Sequence, residues 1–101
     1  MFIDNPIGAG YSFAASEDEL VTTETEMATN LYNMLQSLAK LYPHWFQKRQ
    51  FYIFGESYGG HYVPVIAYKI ITENGRAWIT GNAKIPLEGI GIGDGWSDPY
   101  N

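Results

Sequence analysis

The five residues Gly55-Glu56-Ser57-Tyr58-Gly59 constrain this chain more than any others. They set a serine between two glycines directly after the apolar run Phe51-Tyr52-Ile53-Phe54, and a helix-like segment follows. A turn that presents a serine at the end of a strand holds it in a strained backbone conformation. The helix behind it returns so closely that a Cβ at the flanking positions would collide. The pattern therefore predicts strand, sharp turn and helix, with Ser57 as a nucleophile at the apex. Ser57 then lies near a helix N-terminus, where orphan N–H groups and the positive end of the peptide dipoles can stabilise an oxyanion. The motif's geometry offers the backbone N–H of Tyr58 as one oxyanion donor. Glu56 is a carboxylate beside the nucleophile; burial would favour its protonated form, which can donate a hydrogen bond to an anionic substrate group.

The rest of the chain reads as strand, loop, helix, strand, helix, strand. Phe2-Ile3 can end a strand, and residues 4–10 form a loop punctuated by Pro and Gly. Thr23 and Glu26 have capping-box spacing. Met27, Leu31, Met34, Leu35, Leu38 and Leu41 then recur at helical intervals until Pro43 stops the pattern. The acidic start Glu17, Asp18, Glu19, Glu24 and Glu26 reads as a solvated, dipole-complementing helix start rather than a metal site. A second helix is expected over residues 58–72, bent near Pro64 and stopped by Asn74-Gly75. A Gly-interrupted strand follows over residues 87–92. Strand, helix and strand at this spacing predict a parallel crossover, hence an α/β class with no internal boundary in residues 1–101.

Composition narrows the partners. Net charge is -5 with 46% hydrophobic and 16% aromatic residues, and no Lys/Arg cluster exists to neutralise phosphates, so nucleic acid is not an expected partner. No apolar run approaches the roughly 18 residues of a spanning helix, and the N-terminus has no signal-peptide pattern. Cysteine is absent. Open α/β sheets commonly need about 200 residues, so 101 residues suit an excerpt of such a fold.

Three blocks carry a resemblance. Gly55-Glu56-Ser57-Tyr58-Gly59-Gly60-His61-Tyr62-Val63-Pro64 resembles the active-site segment of the serine carboxypeptidases, peptidase family S10. Phe2-Ile3-Asp4-Asn5-Pro6-Ile7-Gly8-Ala9-Gly10-Tyr11-Ser12-Phe13 is similar to the stretch that precedes it in that family. Gly89-Ile90-Gly91-Ile92-Gly93-Asp94-Gly95-Trp96-Ser97-Asp98-Pro99 looks like the following strand and loop, in the version of the vitellogenic-like and retinoid-inducible branch. Asn5 stands where many members have Gln, and Asp94 where many have Asn. The resemblance implies part of an α/β-hydrolase fold and a serine-type carboxypeptidase that works through an acyl-enzyme on Ser57, without metal or cofactor. It implies that Glu56 recognises the free C-terminal carboxylate of a peptide or protein substrate, that the second oxyanion donor lies in an upstream loop, and that the parent is secreted or lysosomal/vacuolar. Oligomeric state does not follow from it.

The rest of a catalytic triad is not evident. His61 lies one helical turn beyond Ser57, where its ring cannot easily reach back, and His44 precedes the nucleophile, against the Ser, acid, His chain order of α/β-hydrolases. Asp94 is topologically a conceivable acid, with loop hydrogen bonding as its other reading; in the resembled family acid and histidine both come later. The piece alone is thus expected to be inactive. A truncated or pseudoenzyme binding protein and a carboxypeptidase-like acyltransferase remain the alternative readings. The glycines from Gly89 to Gly95 lack the last interval of a dinucleotide fingerprint, no helix-like pattern follows them and no P-loop Lys-Ser/Thr pair occurs, which argues against nucleotide binding.

Overall fold

In the computed structural model, which describes residues 1–100, a single 3-10 turn at Glu17–Glu19 precedes helix α1 (Glu24–Leu41) and a short helix α2 (Pro43–Lys48). Strand β1 (Phe51–Glu56), helix α3 (Gly59–Thr80) and strand β2 (Leu87–Gly93) complete the order. The capping box at the start of α1 is formed on both sides. Thr23 Oγ1 accepts from the Glu26 N–H at 3.2 Å, and Glu26 Oε2 accepts from the N–H groups of Thr22 at 3.0 Å and Thr23 at 3.3 Å. Those two backbone donors hold the Glu26 carboxyl below its ordinary pKa. Pro43 ends the pattern of α1 and opens α2 at a position where its missing N–H costs nothing.

The two strands pair in parallel, with Tyr52 beside Gly89, Phe54 beside Gly91 and Glu56 beside Gly93. One face of this sheet packs on the helices. Met27, Tyr32 and Leu35 of α1, Phe46 of α2, Ile66 and Ile70 of α3, and Ile85 make the buried core, and Phe51, Ile53 and Leu87 pack against it. The opposite face carries the exposed rings of Tyr52 and Phe54, which lean over the neighbouring strand. A Cβ on Gly89 would meet the Tyr52 ring at 3.3 Å, and one on Gly91 would overlap the Phe54 ring. Glycine in β2 is thus the seat of two aromatic rings.

Two sequence expectations are corrected. Phe2 and Ile3 form no strand: residues 1–5 have no ladder partner among the described residues. A cleft of about 1020 Å³, lined by Phe2, Ile3, Leu31, Leu35, Phe54 and Val63 among others, adjoins this segment and β1. Extended backbone becomes a strand only when its N–H and C=O groups find a ladder, and here the loop that follows is tied to itself instead, with Asp4 Oδ2 accepting the Tyr11 N–H at 2.8 Å.

The second correction concerns α3, which does not stop at Asn74-Gly75 but runs on to Thr80 and ends at Gly81, left-handed with φ 72°. Asn74 faces inward. Its amide donates to the Ile85 carbonyl at 2.7 Å and its carbonyl accepts the Ile85 N–H at 2.9 Å, fastening the approach to β2. Ile85 is fully buried, so Asn74→Ala leaves the Ile85 N–H without a partner and takes one of two donors from the Ile85 carbonyl, which keeps the Leu87 N–H at 2.8 Å. The expected loss is about 2 kcal/mol, read from the midpoint of urea denaturation of the full-length protein.

Candidate active site

β1 delivers the chain to Ser57, and Ser57 adopts a left-handed backbone with φ 55°, unusual for a residue with a Cβ. Such a conformation costs on the order of 1–3 kcal/mol and persists only where surroundings over-determine it. Here they do. The Ser57 N–H donates to the Gly93 carbonyl at 3.0 Å, and the Ser57 carbonyl accepts from the N–H groups of Trp96 at 2.8 Å and Gly60 at 2.9 Å. Both polar groups of the strained peptide are therefore held, chiefly by the end of β2 and the loop after it.

The glycines around Ser57 answer to real contacts. A Cβ on Gly55 would stand 2.7 Å from Val63 Cγ2 and 3.1 Å from the Gly59 Cα, and one on Gly60 would stand 2.8 Å from the Trp96 nitrogen. Helix α3 can start immediately behind the serine only because these positions are bare. Ser57 itself is exposed, and among the described residues its hydroxyl has no hydrogen-bond partner. The Tyr58 N–H likewise meets no acceptor among them, which leaves it available as an oxyanion donor. No acidic residue occupies the first turn of α3, so the positive end of its dipole is not neutralised from within the helix.

The Tyr58 ring is held on several sides. It lies 4.7 Å from the His61 ring, 4.9 Å from Tyr62 and 5.6 Å from Trp96, centroid to centroid. Its hydroxyl makes a long contact of 3.4 Å to Glu24 Oε1, which also sits 3.3 Å from His61 Nδ1. Partial burial, then the Glu24 carboxylate, push the Tyr58 phenol above its ordinary pKa. His61 is thus turned to Glu24 and not to the nucleophile. Glu24, read from sequence as part of a solvated helix start, is half-buried at this contact between α1 and α3.

Glu56 is adjacent to Ser57 at the end of β1, and its side chain is exposed rather than buried among the described residues. Asp94 follows β2 with φ 45°, exposed, and no histidine pairs with it among the described residues. No group of three or more His, Cys, Asp or Glu able to hold a metal occurs among them. The part that sequence reasoning missed is the loop Asp94-Gly95-Trp96-Ser97 as the clamp on the elbow. Its signal was present in the second glycine, Gly60, which a nucleophile turn followed directly by a helix leaves unexplained.

The serine carboxypeptidase family model, peptidase S10, matches residues 1–101. The chain belongs to the serine carboxypeptidase family. It is 46% identical over 99 residues to a probable serine carboxypeptidase CPVL of Dictyostelium discoideum, covering 98% of this chain and 19% of the relative. To the vitellogenic carboxypeptidase of Aedes aegypti it is 41% identical over 101 residues, covering 100% of this chain and 20% of the relative. Among solved structures it resembles Kex1(delta)p, a prohormone-processing carboxypeptidase from Saccharomyces cerevisiae, with a TM-score of 0.77 and 30% identity over 97% of this chain and 21% of that one. The chain spans about a fifth of the length of the relatives it matches. Its parallel strands with flanking helices are part of the family's α/β-hydrolase fold, and the vitellogenic-like side of the sequence resemblance agrees with the relatives' names.

Proposed function

We propose that this chain carries the nucleophile of a serine-type carboxypeptidase, with Ser57 attacking the C-terminal peptide bond of a peptide or protein and forming an acyl-enzyme. The observation that supports this most is the strained, exposed Ser57 between a strand end and a helix start, with the Tyr58 N–H unpaired beside it. As the Ser57 oxygen attacks, a general base takes its proton and the carbonyl oxygen gains charge; the Tyr58 N–H and the α3 dipole meet that charge. His61 faces Glu24, so the base, and the acid that orients it, belong to other segments of the parent protein, and residues 1–101 by themselves should show no peptide release. In this reading Glu56, beside the nucleophile, recognises the substrate's free carboxylate. A secreted or lysosomal/vacuolar parent belongs to the same reading, in keeping with a relative named as a venom serine carboxypeptidase of Apis mellifera.

A fluorophosphonate probe tests the reading on the full-length protein. Mass spectrometry should find the adduct on Ser57, and a peptide with a free C-terminus should lose its last residue while its amidated twin does not. No adduct, together with intact peptides, overturns the enzyme reading in favour of a non-catalytic binding protein. Transfer of the acyl group to an added acceptor in place of hydrolysis would point to an acyltransferase.

A further inference from the structure

Pro64 lies inside α3, four residues after Gly60. In an α-helix the N–H of residue 64 would donate to the carbonyl of residue 60, and proline has none to give. The Gly60 carbonyl is therefore left open one turn behind the nucleophile. It accepts instead from Ser97 Oγ at 3.3 Å, a contact that reaches across 37 positions of sequence to the loop after β2. That loop is the one whose Trp96 N–H holds the Ser57 carbonyl at 2.8 Å, and it follows the Gly93 carbonyl that holds the Ser57 N–H at 3.0 Å. The contact is close: a Cβ on Gly60 would stand 2.7 Å from Ser97 Oγ and 3.0 Å from the Trp96 carbonyl carbon.

We infer that Ser97 is a positioning residue for the nucleophile: its hydroxyl binds the helix carbonyl that Pro64 leaves unserved, and so pins the loop that holds Ser57 in its left-handed conformation. Proline in this helix is then functional rather than tolerated. It removes the competitor for the Gly60 carbonyl and so reserves that acceptor for the loop. The inference rests on the nucleophile reading of Ser57 and adds a residue to it.

The test is made on the full-length protein with a fluorophosphonate, separating the probe's affinity from its rate of bond formation. Ser97→Ala should slow bond formation roughly ten- to hundredfold, as small displacements of a reacting group do, with affinity changed less than about twofold. Ser97→Thr keeps the hydroxyl and should recover most of the rate. Pro64→Ala restores the helical N–H, which then competes with Ser97. It should also slow the reaction even where it raises the melting temperature, and adding Ser97→Ala in that background should change little. Hydrogen–deuterium exchange of the peptide spanning residues 93–97 gives a readout without chemistry, and it should quicken in both single variants. If wild type labels at Ser57 while Ser97→Ala labels equally fast, or if the two substitutions act independently, Ser97 has no positioning role. If wild type does not label, the nucleophile reading fails, and unchanged exchange in the loop rejects the Ser97 link on its own.

Discussion

Ser57→Ala should lower carboxypeptidase turnover of the full-length protein by about 10⁵-fold or more, while peptide binding stays within a few fold of wild type. The size follows from the chemistry. Removing the hydroxyl removes the acyl-enzyme route altogether, so every other part of the site can then contribute only to an uncatalysed attack by water. Binding should survive because the Ser57 hydroxyl has no partner among the described residues, and its loss undoes no packing or hydrogen bond. Turnover measured with a chromogenic peptide, and binding measured by calorimetry on the same preparation, give the two numbers. Turnover that persists near the wild-type value would move the nucleophile elsewhere.

The second large effect comes from glycines on one helix. Gly60→Ala places a methyl 2.8 Å from the Trp96 nitrogen and 3.0 Å from its carbonyl carbon. Those are backbone atoms, and they can retreat only by giving up the Trp96 N–H bond to the Ser57 carbonyl. Overpacking together with that lost bond should cost about 3 kcal/mol. The fluorophosphonate reaction should slow with it. Gly75→Ala is the opposite case: a Cβ there meets nothing within 4 Å, and the backbone is ordinary helix. It should stabilise by about 0.5–1 kcal/mol and leave the labelling rate alone. Urea midpoints of the two variants should therefore move in opposite directions from wild type; a shared direction would show that the close approach at Gly60 is not what its glycine serves.

What could be read from the chain in advance was whatever local chemistry decides. The Thr23–Glu26 capping box, the periodicity of α1 and the glycines around Ser57 act over a few residues, and each appears where the pattern puts it. Asn74-Gly75 misled because a turn pair and a helix-interior pair are spelled alike. The difference lies in Ile85, eleven positions on, whose backbone takes the Asn74 amide. Phe2 and Ile3 look like a strand, but pairing depends on a neighbour that sequence does not name. Glu56 is legible as a residue beside the nucleophile and not as a buried one, because burial is a property of what surrounds it. The Gly60–Ser97 contact lies beyond local reading for the same reason, although Pro64 announces that one helical carbonyl needs another donor.

The aromatic rings resting on Gly89 and Gly91 also act as a ratchet on how the two strands can slide. A slip of one position would bring Ile90 or Ile92 beneath rings that have room only for a bare backbone, and the same slip would carry the Gly93 carbonyl away from Ser57. Two tyrosine- and phenylalanine-sized pawls thus set the depth at which the serine is offered, from the face of the sheet opposite the helices.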